Sequence, residues 1–189
     1  MSRARVPTPS VDRRVALLRG VNVGTAKRVS MADLRKVFED LGYEDVRTLL
    51  NSGNVVFTIR NAGSRDHAGR VQKAIADRLG IQSRVVVLTR SEIAEAVAGN
   101  PLTSVADNPS RLLVLACADA NAVARLKPLL KEPWSPEALA LGGRVAYLWC
   151  AKGIGISRLW TMVNRAIGDA GTARNATCLL YTSPSPRDS

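Results

Sequence analysis

Residues 46–59 read VRTLLNSGNVVFTI, and this stretch decides the fold. Two apolar segments, 46–50 and 55–59, flank the polar tetrapeptide NSGN at 51–54. Glycine and asparagine tolerate the positive φ angles that tight turns require. The stretch therefore predicts two neighbouring strands that run antiparallel and are joined by a short turn.

Outward from this hairpin, the sequence predicts one helix on each side and one strand beyond each helix. Apolar residues at helical spacing place the first helix at 31–41 and end the second helix at Gly80. Short apolar runs place the outer strands at 15–18 and 85–88. The resulting order, β-α-β-β-α-β, is that of the ferredoxin-like unit, or alpha-beta plait.

The same order of elements repeats in the second half of the chain, and the linker-like stretch 107–110 separates the halves. We therefore predict an α+β protein of two tandem ferredoxin-like subdomains, at 13–106 and 107–175. Residues 1–12 are expected to form a disordered basic tail. The repeat lies in the order of elements and not in their residues. In the second half, strands are expected at 112–117, 138–141 and 145–149, with a closing strand from Thr172. One helix is expected at 156–167. Another is expected to begin at Asp119, to be interrupted at Pro128 and to have an apolar face of Val123, Leu126 and Leu130.

The composition is that of a globular protein. Of the 189 residues, 46% are hydrophobic and 23% are charged, which is enough to build a core. No apolar run reaches the ~18 residues of a membrane span, and the basic start of the chain lacks the apolar region of a secretory signal. We expect a cytoplasmic protein that does not associate with membranes.

Cysteine and histidine are too few for a structural zinc site, so no metal and no cofactor are expected. The chain has three cysteines and one histidine. Cys117 and Cys150 lie within apolar runs and are predicted to be small buried hydrophobic residues. His67 lies between Asp66 and Ala68 and is predicted to be a surface residue.

The net charge of +11 is concentrated toward the N-terminus. Residues 1–14 contribute +3, from four arginines and one aspartate, and residues 15–90 contribute +6, from 13 basic and seven acidic groups. A basic surface attracts phosphates with an affinity that depends on salt. The same excess also suits an ordinary solvated surface rich in arginine, so charge alone does not establish a polyanion partner.

Several segments of the chain occur together, in this order, in one bacterial family. They are ALLRGVNVG at 16–24, RT at 47–48, NSGNVVF at 51–57, NPL at 100–102, YL at 147–148, GIGISRL at 153–159 and TARN at 172–175. Together they closely resemble the domain-of-unknown-function family 1697, over about residues 13–175. The resemblance implies two ferredoxin-like subdomains and carries over no activity, cofactor or catalytic residue.

The chain departs from the family pattern at two places. Gly24 is followed by Thr25, where the family usually has a second glycine. Beyond the TARN segment, the family continues with an apolar helix that contains tryptophan, whereas residues 176–189 read ATCLLYTSPSPRDS. This tail looks like sequencing-adapter read-through, and we predict that it is not native.

The segment Lys152-Gly-Ile-Gly-Ile-Ser-Arg158 is the strongest candidate for a ligand site. It combines two cations, a hydroxyl at Ser157, two glycines and the start of a helix, whose free N–H groups attract anions. The spacing matches neither a P-loop nor a dinucleotide fingerprint. The alternative is a plain turn in which Gly153 and Gly155 permit φ > 0 and Ser157 caps the helix.

Two further loops supply candidate ligand residues. In the first, Arg19 has the geometry to pair with a phosphate or carboxylate, and Asn22 adds a directed hydrogen bond; Gly24 and Lys27 follow. The alternative is that Arg19 pairs with an internal acid and Asn22 holds the loop backbone. The second is the hairpin turn with Asn51, Ser52 and Asn54, which also suits a plain turn. If both halves bring their loops to one edge, Arg19, Asn22, Ser52 and Asn54 line one pocket.

Catalytic patterns are weak. No nucleophile elbow occurs, and a serine triad would have to use His67, the one histidine of the chain. With only 4% aromatic residues, base stacking of the RNA-binding type is also disfavoured.

The leading hypothesis is a binding module for a small anionic or phosphorylated ligand, or for nucleic acid, through the basic glycine-containing loops. The alternatives are an enzyme acting on a phosphate- or carboxylate-bearing metabolite, positioned by Arg19, Asn22 and Ser157, and a structural protein without a ligand site. Oligomeric state does not follow from these features.

Overall fold

The computed structural model describes residues 11–22, 28–60 and 66–182. These residues form two sets of strands and helices joined by α3 (Arg90–Ala98). The first set is β1 (Val11–Leu18), α1 (Met31–Asp40), β2 (Glu44–Leu49), β3 (Asn54–Arg60), α2 (His67–Leu79) and β4 (Val85–Thr89). The second set is β5 (Leu112–Cys117), α4 (Ala120–Ala124), β6 (Ala138–Leu141), β7 (Val145–Trp149), α5 (Arg158–Ile167) and β8 (Gly171–Asn175), followed by α6 (Ala176–Thr182).

Each half contains one four-stranded sheet, and every neighbouring pair of strands is antiparallel. The strand orders are β2-β3-β1-β4 and β6-β7-β5-β8, so β5 takes in the second half the place of β1 in the first. The mixed α+β class is therefore confirmed, and the matching strand orders are compatible with two subdomains of α and β structure.

The first sheet is buried on both faces along β1, β3 and β4, whereas β2 is partly exposed. On β1, Ala16 and Leu18 face a core cluster that includes residues of α1 and α2, and Val15 and Leu17 face the opposite way. The opposite side joins an inner cluster that holds residues of both sheets and of α3, among them Val114 and Tyr147. The inner faces of the two sheets therefore pack against each other, and the helices α1, α2 and α5 pack on the outer faces. Because β1 and β4 are buried on both faces, the segments 15–18 and 85–88 appear in the sequence as continuous apolar runs rather than as alternating patterns.

The helices begin at polar caps that the sequence supplies. Ser30, Asp66 and Asp119 each accept a hydrogen bond from the backbone N–H three residues later. Thr89 and Glu92 form a reciprocal capping box at the start of α3. Gly80 ends α2 with φ of 64°, a left-handed conformation in which glycine carries no steric penalty.

Two elements differ from the sequence prediction by more than two residues. Strand β1 begins at Val11, four residues before the predicted 15, because residues 11–14 pair with β3. The helix after Asp119 ends at Ala124, and a 3₁₀ turn follows at 127–131, since Pro128 cannot supply a backbone donor. Leu130 is therefore 49% exposed and does not lie on the apolar face predicted for it.

The surface position predicted for His67 is wrong. The side chain is 4% exposed, and Nδ1 lies 2.9 Å from the hydroxyl oxygen of Tyr43. The cap at Asp66 places His67 in the first turn of α2, where its ring contacts Tyr43 at a centroid distance of 5.6 Å. The polar neighbours in the sequence gave no signal of this, because the burying partner is 24 residues away.

The burial predicted for Cys117 and Cys150 is confirmed, since both are fully buried. Burial raises the pKa of Cys117 to about 11, so its thiol stays protonated and unreactive at neutral pH. Residues 176–182 form α6, which packs Leu179 into the inner cluster. That this segment is foreign to the native protein stays a prediction.

Candidate functional site

Arg19 joins the two halves of the molecule. Its Nη1 donates to the carbonyl oxygen of Gly171 at 2.5 Å, and its Nη2 donates to Oδ1 of Asn164 at 2.9 Å. Both partners belong to the second half, and neither is an acid. The guanidinium is therefore held by neutral acceptors, and its charge is not cancelled by an ion pair with any described residue.

Asn22 holds its own loop together. Its Nδ2 donates to the carbonyl oxygens of Val29 at 3.1 Å and Asn51 at 2.8 Å, and its Oδ1 accepts from the N–H of Val29 at 2.8 Å. Asn22 takes up a left-handed conformation with φ of 53°. These bonds match the second interpretation of Asn22, in which the side chain holds the loop backbone. Gly24 and Lys27 lie outside the described residues.

The hairpin turn fits closely under the first loop. Gly53 has φ of 75°, and a Cβ atom there would lie 2.4 Å from Cγ2 of Val21 and 3.0 Å from Cβ of Leu18. Glycine is therefore required both for its conformation and for space. Ser52 borders a cleft described below, whereas Asn54 is fully buried behind it.

Arg174 on β8 is the most highly connected polar side chain at this edge. A guanidinium has five N–H groups. Nε donates to Asn54 Oδ1 at 2.6 Å, and Nη2 donates to the carbonyl oxygens of Leu18 and Ser52 at 2.7 and 2.8 Å. Nη1 donates to Thr172 Oγ1 and to the carbonyl oxygen of Ala173. Burial lowers the pKa of Arg174 to about 10.

The third predicted loop does not bring its two cations, Lys152 and Arg158, to the other two loops, although Ile154 of this loop lines the second cleft described below. The cavity that contains Arg19 includes neither Lys152 nor Arg158. Gly153 has φ of 102°, and the hydroxyl of Ser157 accepts from the N–H of Trp160 at 2.9 Å, so this loop makes a glycine turn followed by a helix cap.

The charged ends of that loop are exposed. Arg158 donates to Glu132 at 3.3 Å and lies over the ring of Trp134 at 5.1 Å. Lys152 is exposed, and a Cβ atom at Gly155 would meet no other atom within 4 Å. The loop therefore lacks the convergent donors of a phosphate cradle.

One polar cleft between the halves collects arginines that the sequence gave no reason to group. Two adjoining cavities of about 520 and 510 Å³ share Gln72, Arg84 and Asp169. The first also contains Arg19, and the second also contains Arg125 and Arg165. We call this region the arginine cleft: Arg19, Gln72, Arg84, Arg125, Arg165 and Asp169.

The charges of the arginine cleft are unbalanced. Arg84 lies 3.6 Å from Asp169, and both side chains are exposed, at 59% and 70%. Arg125 and Arg165 form no ion pair with any described residue. Four guanidinium groups therefore face one carboxylate. These arginines come from different loops and helices, so no motif in the sequence brought them together.

A second cleft lies where the resemblance segments meet. Its volume is about 700 Å³. We call it the apolar cleft, and its lining includes Leu18, Val21, Leu50, Leu113, Ile154 and Trp160, with Arg174. The segments at 16–24, 51–57, 153–159 and 172–175 all contribute to it. Four residues were predicted to line one pocket. Ser52 lines this cleft, whereas Arg19, Asn22 and Asn54 do not.

The described residues offer little acid–base or metal chemistry. No group of three histidine, cysteine, aspartate or glutamate side chains among them is close enough to hold a metal ion. The arginine cleft contains one carboxylate, Asp169, and no carboxylate lines the apolar cleft. Within residues 11–22, 28–60 and 66–182, no helix is long and apolar enough to cross a membrane.

The fold and the two clefts define a class of α+β protein, in which two four-stranded antiparallel sheets pack together and ligand-sized clefts lie along their junction. The profile of the family described as "Protein of unknown function (DUF1697)" matches residues 11–147, and the chain belongs to this family. Among solved structures, a conserved bacterial protein from Streptococcus pneumoniae is similar at 20% identity, with a TM-score of 0.73. The match covers 92% of this chain and 98% of that one, and it shows the shared fold. No curated protein is similar enough to match.

Proposed function

We propose that the protein is a binding module for a small phosphate-bearing anion, held in the arginine cleft between its two halves. The observation that carries the proposal is the convergence of Arg19, Arg84, Arg125 and Arg165 on a cleft with one acid, Asp169. Guanidinium groups bind phosphate oxygens through paired N–H groups, and such charge-assisted bonds are about twice as strong as neutral ones.

The cleft has the size and the access that a small metabolite needs. Each of its two cavities, at about 520 and 510 Å³, lies in the range of known ligand sites. Arg19 is fixed by Gly171 and Asn164, whereas Arg125 and Arg165 are exposed. A ligand phosphate would therefore meet one guanidinium held in place at the cleft and others that close on it from the rim.

The strand order supports the assignment of both halves as ferredoxin-like subdomains, because β1 and β3 are central in the first sheet and β5 and β7 are central in the second. RNA-binding members of that fold use the open face of the sheet. Here Phe57 is fully buried and Val15 and Leu17 pack in the inner cluster, so the first sheet offers no such face on its central strands. A small anion is therefore favoured over nucleic acid.

The enzyme hypothesis receives less support. An active site needs a titratable group whose pKa is perturbed toward its task within the cavity. The raised pKa of Cys117 belongs to a fully buried thiol outside both clefts. The described lining of the arginine cleft contains one carboxylate, Asp169, and neither histidine nor cysteine, so we favour binding over catalysis there.

Calorimetric titration with inorganic pyrophosphate tests the proposal. Arg125→Ala and Arg165→Ala should each raise the dissociation constant by ~10-fold, the loss of about 1.4 kcal/mol expected for a charge-assisted hydrogen bond. The matched control is Arg47→Ala, which removes the same charge from an exposed residue on β2, the far edge strand of the first sheet.

Three outcomes would reject the arginine cleft as the site. They are a wild-type protein that does not bind pyrophosphate, equal weakening by all three substitutions, and binding that is unaffected by Arg125→Ala and Arg165→Ala. Equal weakening would mean that only the net charge of +11 attracts the anion.

A further inference from the structure

The apolar cleft contains a buried positive charge without an acidic partner. Arg174 is 9% exposed, and no carboxylate among the described residues lies within ion-pair distance of it. Its five N–H groups are satisfied by neutral oxygens of Leu18, Ser52, Asn54, Thr172 and Ala173. Hydrogen bonds to neutral groups hold the guanidinium in place but leave its charge uncompensated, and a buried unpaired charge is costly.

The rest of the cleft is apolar and open. Leu50 is 53% exposed and Ile154 is 37% exposed, although both are large hydrophobic residues. Leu18, Val21 and Leu113 form a buried floor to the same cavity. At about 700 Å³, the cleft is large enough for a metabolite-sized molecule.

We propose that the apolar cleft binds a small amphipathic monocarboxylate, with its apolar body against Leu50, Ile154 and Trp160 and its carboxylate facing Arg174. This site is separate from the arginine cleft and does not depend on the function proposed for it. The contacts proposed for the ligand use residues up to Asn175, and Thr177, Cys178 and Tyr181 of α6 complete the wall of the cleft.

Charge and shape each select part of this ligand. The carboxylate gains Coulomb energy from the guanidinium, and the apolar lining of the cleft makes a charge pair worth more there than in bulk water. Ser52 borders the cleft and offers its hydroxyl to the same head group, whereas Oδ1 of Asn175 already accepts from the N–H of Cys178 at 2.7 Å. The apolar body gains about 25 cal/mol for each Å² of apolar surface that it removes from water, its own and that of the lining. A phosphate without an apolar body gains only the first of these terms.

Leu50 provides a test that leaves the core unchanged. The residue is exposed and has φ of 58°, a conformation that aspartate and asparagine tolerate better than leucine. Leu50→Asp and Leu50→Asn are almost the same size and differ in charge. Both substitutions remove the same apolar contact. Aspartate also puts a negative charge at the entrance of the cleft, whereas asparagine adds no charge.

The probe is octanoate, with 1-octanol as its uncharged match, titrated by calorimetry against the full chain. Octanoate should bind ~10-fold more tightly than 1-octanol, and Leu50→Asp should weaken octanoate binding by ~10-fold relative to Leu50→Asn. Thermal melts of both variants check that they fold.

Each contrary result overturns the assignment. If octanoate does not bind, or if octanoate and 1-octanol bind equally, then Arg174 does not attract the carboxylate of a ligand. Equal binding by Leu50→Asp and Leu50→Asn places the ligand elsewhere. Displacement of octanoate by pyrophosphate would mean that the two ligands share the arginine cleft. Arg125→Ala keeps the two proposals distinguishable, because it should weaken pyrophosphate binding and leave octanoate binding unchanged.

Discussion

Arg174 on the last strand donates a hydrogen bond of 2.6 Å to Asn54 at the start of β3, and this bond joins two residues that are 120 positions apart. A second bond runs in the opposite direction, since Arg19 of the first half donates to the carbonyl oxygen of Gly171 in the second half. A third arginine, Arg144, donates to Glu92 at 2.8 Å across the same junction. The two halves are therefore held together by arginines that reach in both directions, in addition to the shared apolar core.

Replacement of Arg174 by lysine should destabilise the protein. Lysine keeps the charge but has three N–H donors on one atom instead of a planar fork of five, so oxygens of Leu18, Ser52 or Asn54 lose their partners. Each buried acceptor left unpaired costs ~1–3 kcal/mol, and we expect a total loss of ~2–4 kcal/mol in urea denaturation. Arg47→Lys on exposed β2 is the control and should change stability by less than ~0.5 kcal/mol. An Arg174→Lys protein as stable as that control would show that the junction does not depend on this fork.

Replacement of Gly53 by alanine should cost more than the backbone conformation alone explains. The added Cβ would lie 2.4 Å from Cγ2 of Val21, in addition to the penalty for φ of 75°. Gly80→Ala is the matched control, since Gly80 has φ of 64° and no atom within 4 Å of the added carbon. We expect a loss of ~1 kcal/mol at Gly80 and ~2–4 kcal/mol at Gly53, measured by chemical denaturation.

The double variant Gly53→Ala/Val21→Ala isolates the steric part of that loss. Removing Cγ2 of Val21 relieves the clash, so the double variant should be less destabilised than the sum of its two single substitutions. Additive losses would show that the contact between Gly53 and Val21 does not decide the requirement for glycine.

Arg144 and Glu92 should be energetically coupled, because they join the halves at partly buried positions, with side chains 26% and 25% exposed. A double-mutant cycle with Arg144→Met and Glu92→Gln should give a coupling free energy of ~1 kcal/mol. The control cycle uses Arg35 and Glu39, an exposed pair one turn apart on α1, for which ~0.3–0.5 kcal/mol is expected. Equal coupling in both cycles would contradict a special role for the pair at the junction.

The stability of the protein should fall at alkaline pH in part because of Cys117. Burial raises the pKa of this thiol to about 11 in the folded state, from 9.0. Above pH 9 the unfolded chain releases the proton while the folded chain keeps it, so stability is lost as the pH rises from 9 toward 11. The free energy of unfolding between pH 8 and 10 should therefore fall less steeply in Cys117→Ala than in the wild type. Parallel pH profiles would mean that the thiol titrates alike in both states.

The order of elements followed from the sequence because its signals are local. The strands at 112–117, 138–141 and 145–149 have the predicted bounds, since each is an apolar run between turn residues. The cap at Ser157 and the hairpin turn at 51–54 were also predictable, because a cap or a turn involves residues only a few positions apart.

Tertiary structure alone decided the partners of the polar groups. The sequence made Arg19 a candidate to bind a ligand. In the structure it donates instead to Gly171 and Asn164, which lie 152 and 145 positions away. Arg174 was only part of a resemblance segment, and its contact with Leu18 spans 156 positions. Nothing in the residue types distinguishes an arginine that binds an internal carbonyl from one that faces an open cleft. The sequence determined which elements form, because that choice rests on neighbouring residues. The stacking of the two sheets determined which charges are buried, which are shared between the halves and which remain in the clefts, because that choice rests on surfaces that meet only after both halves have folded.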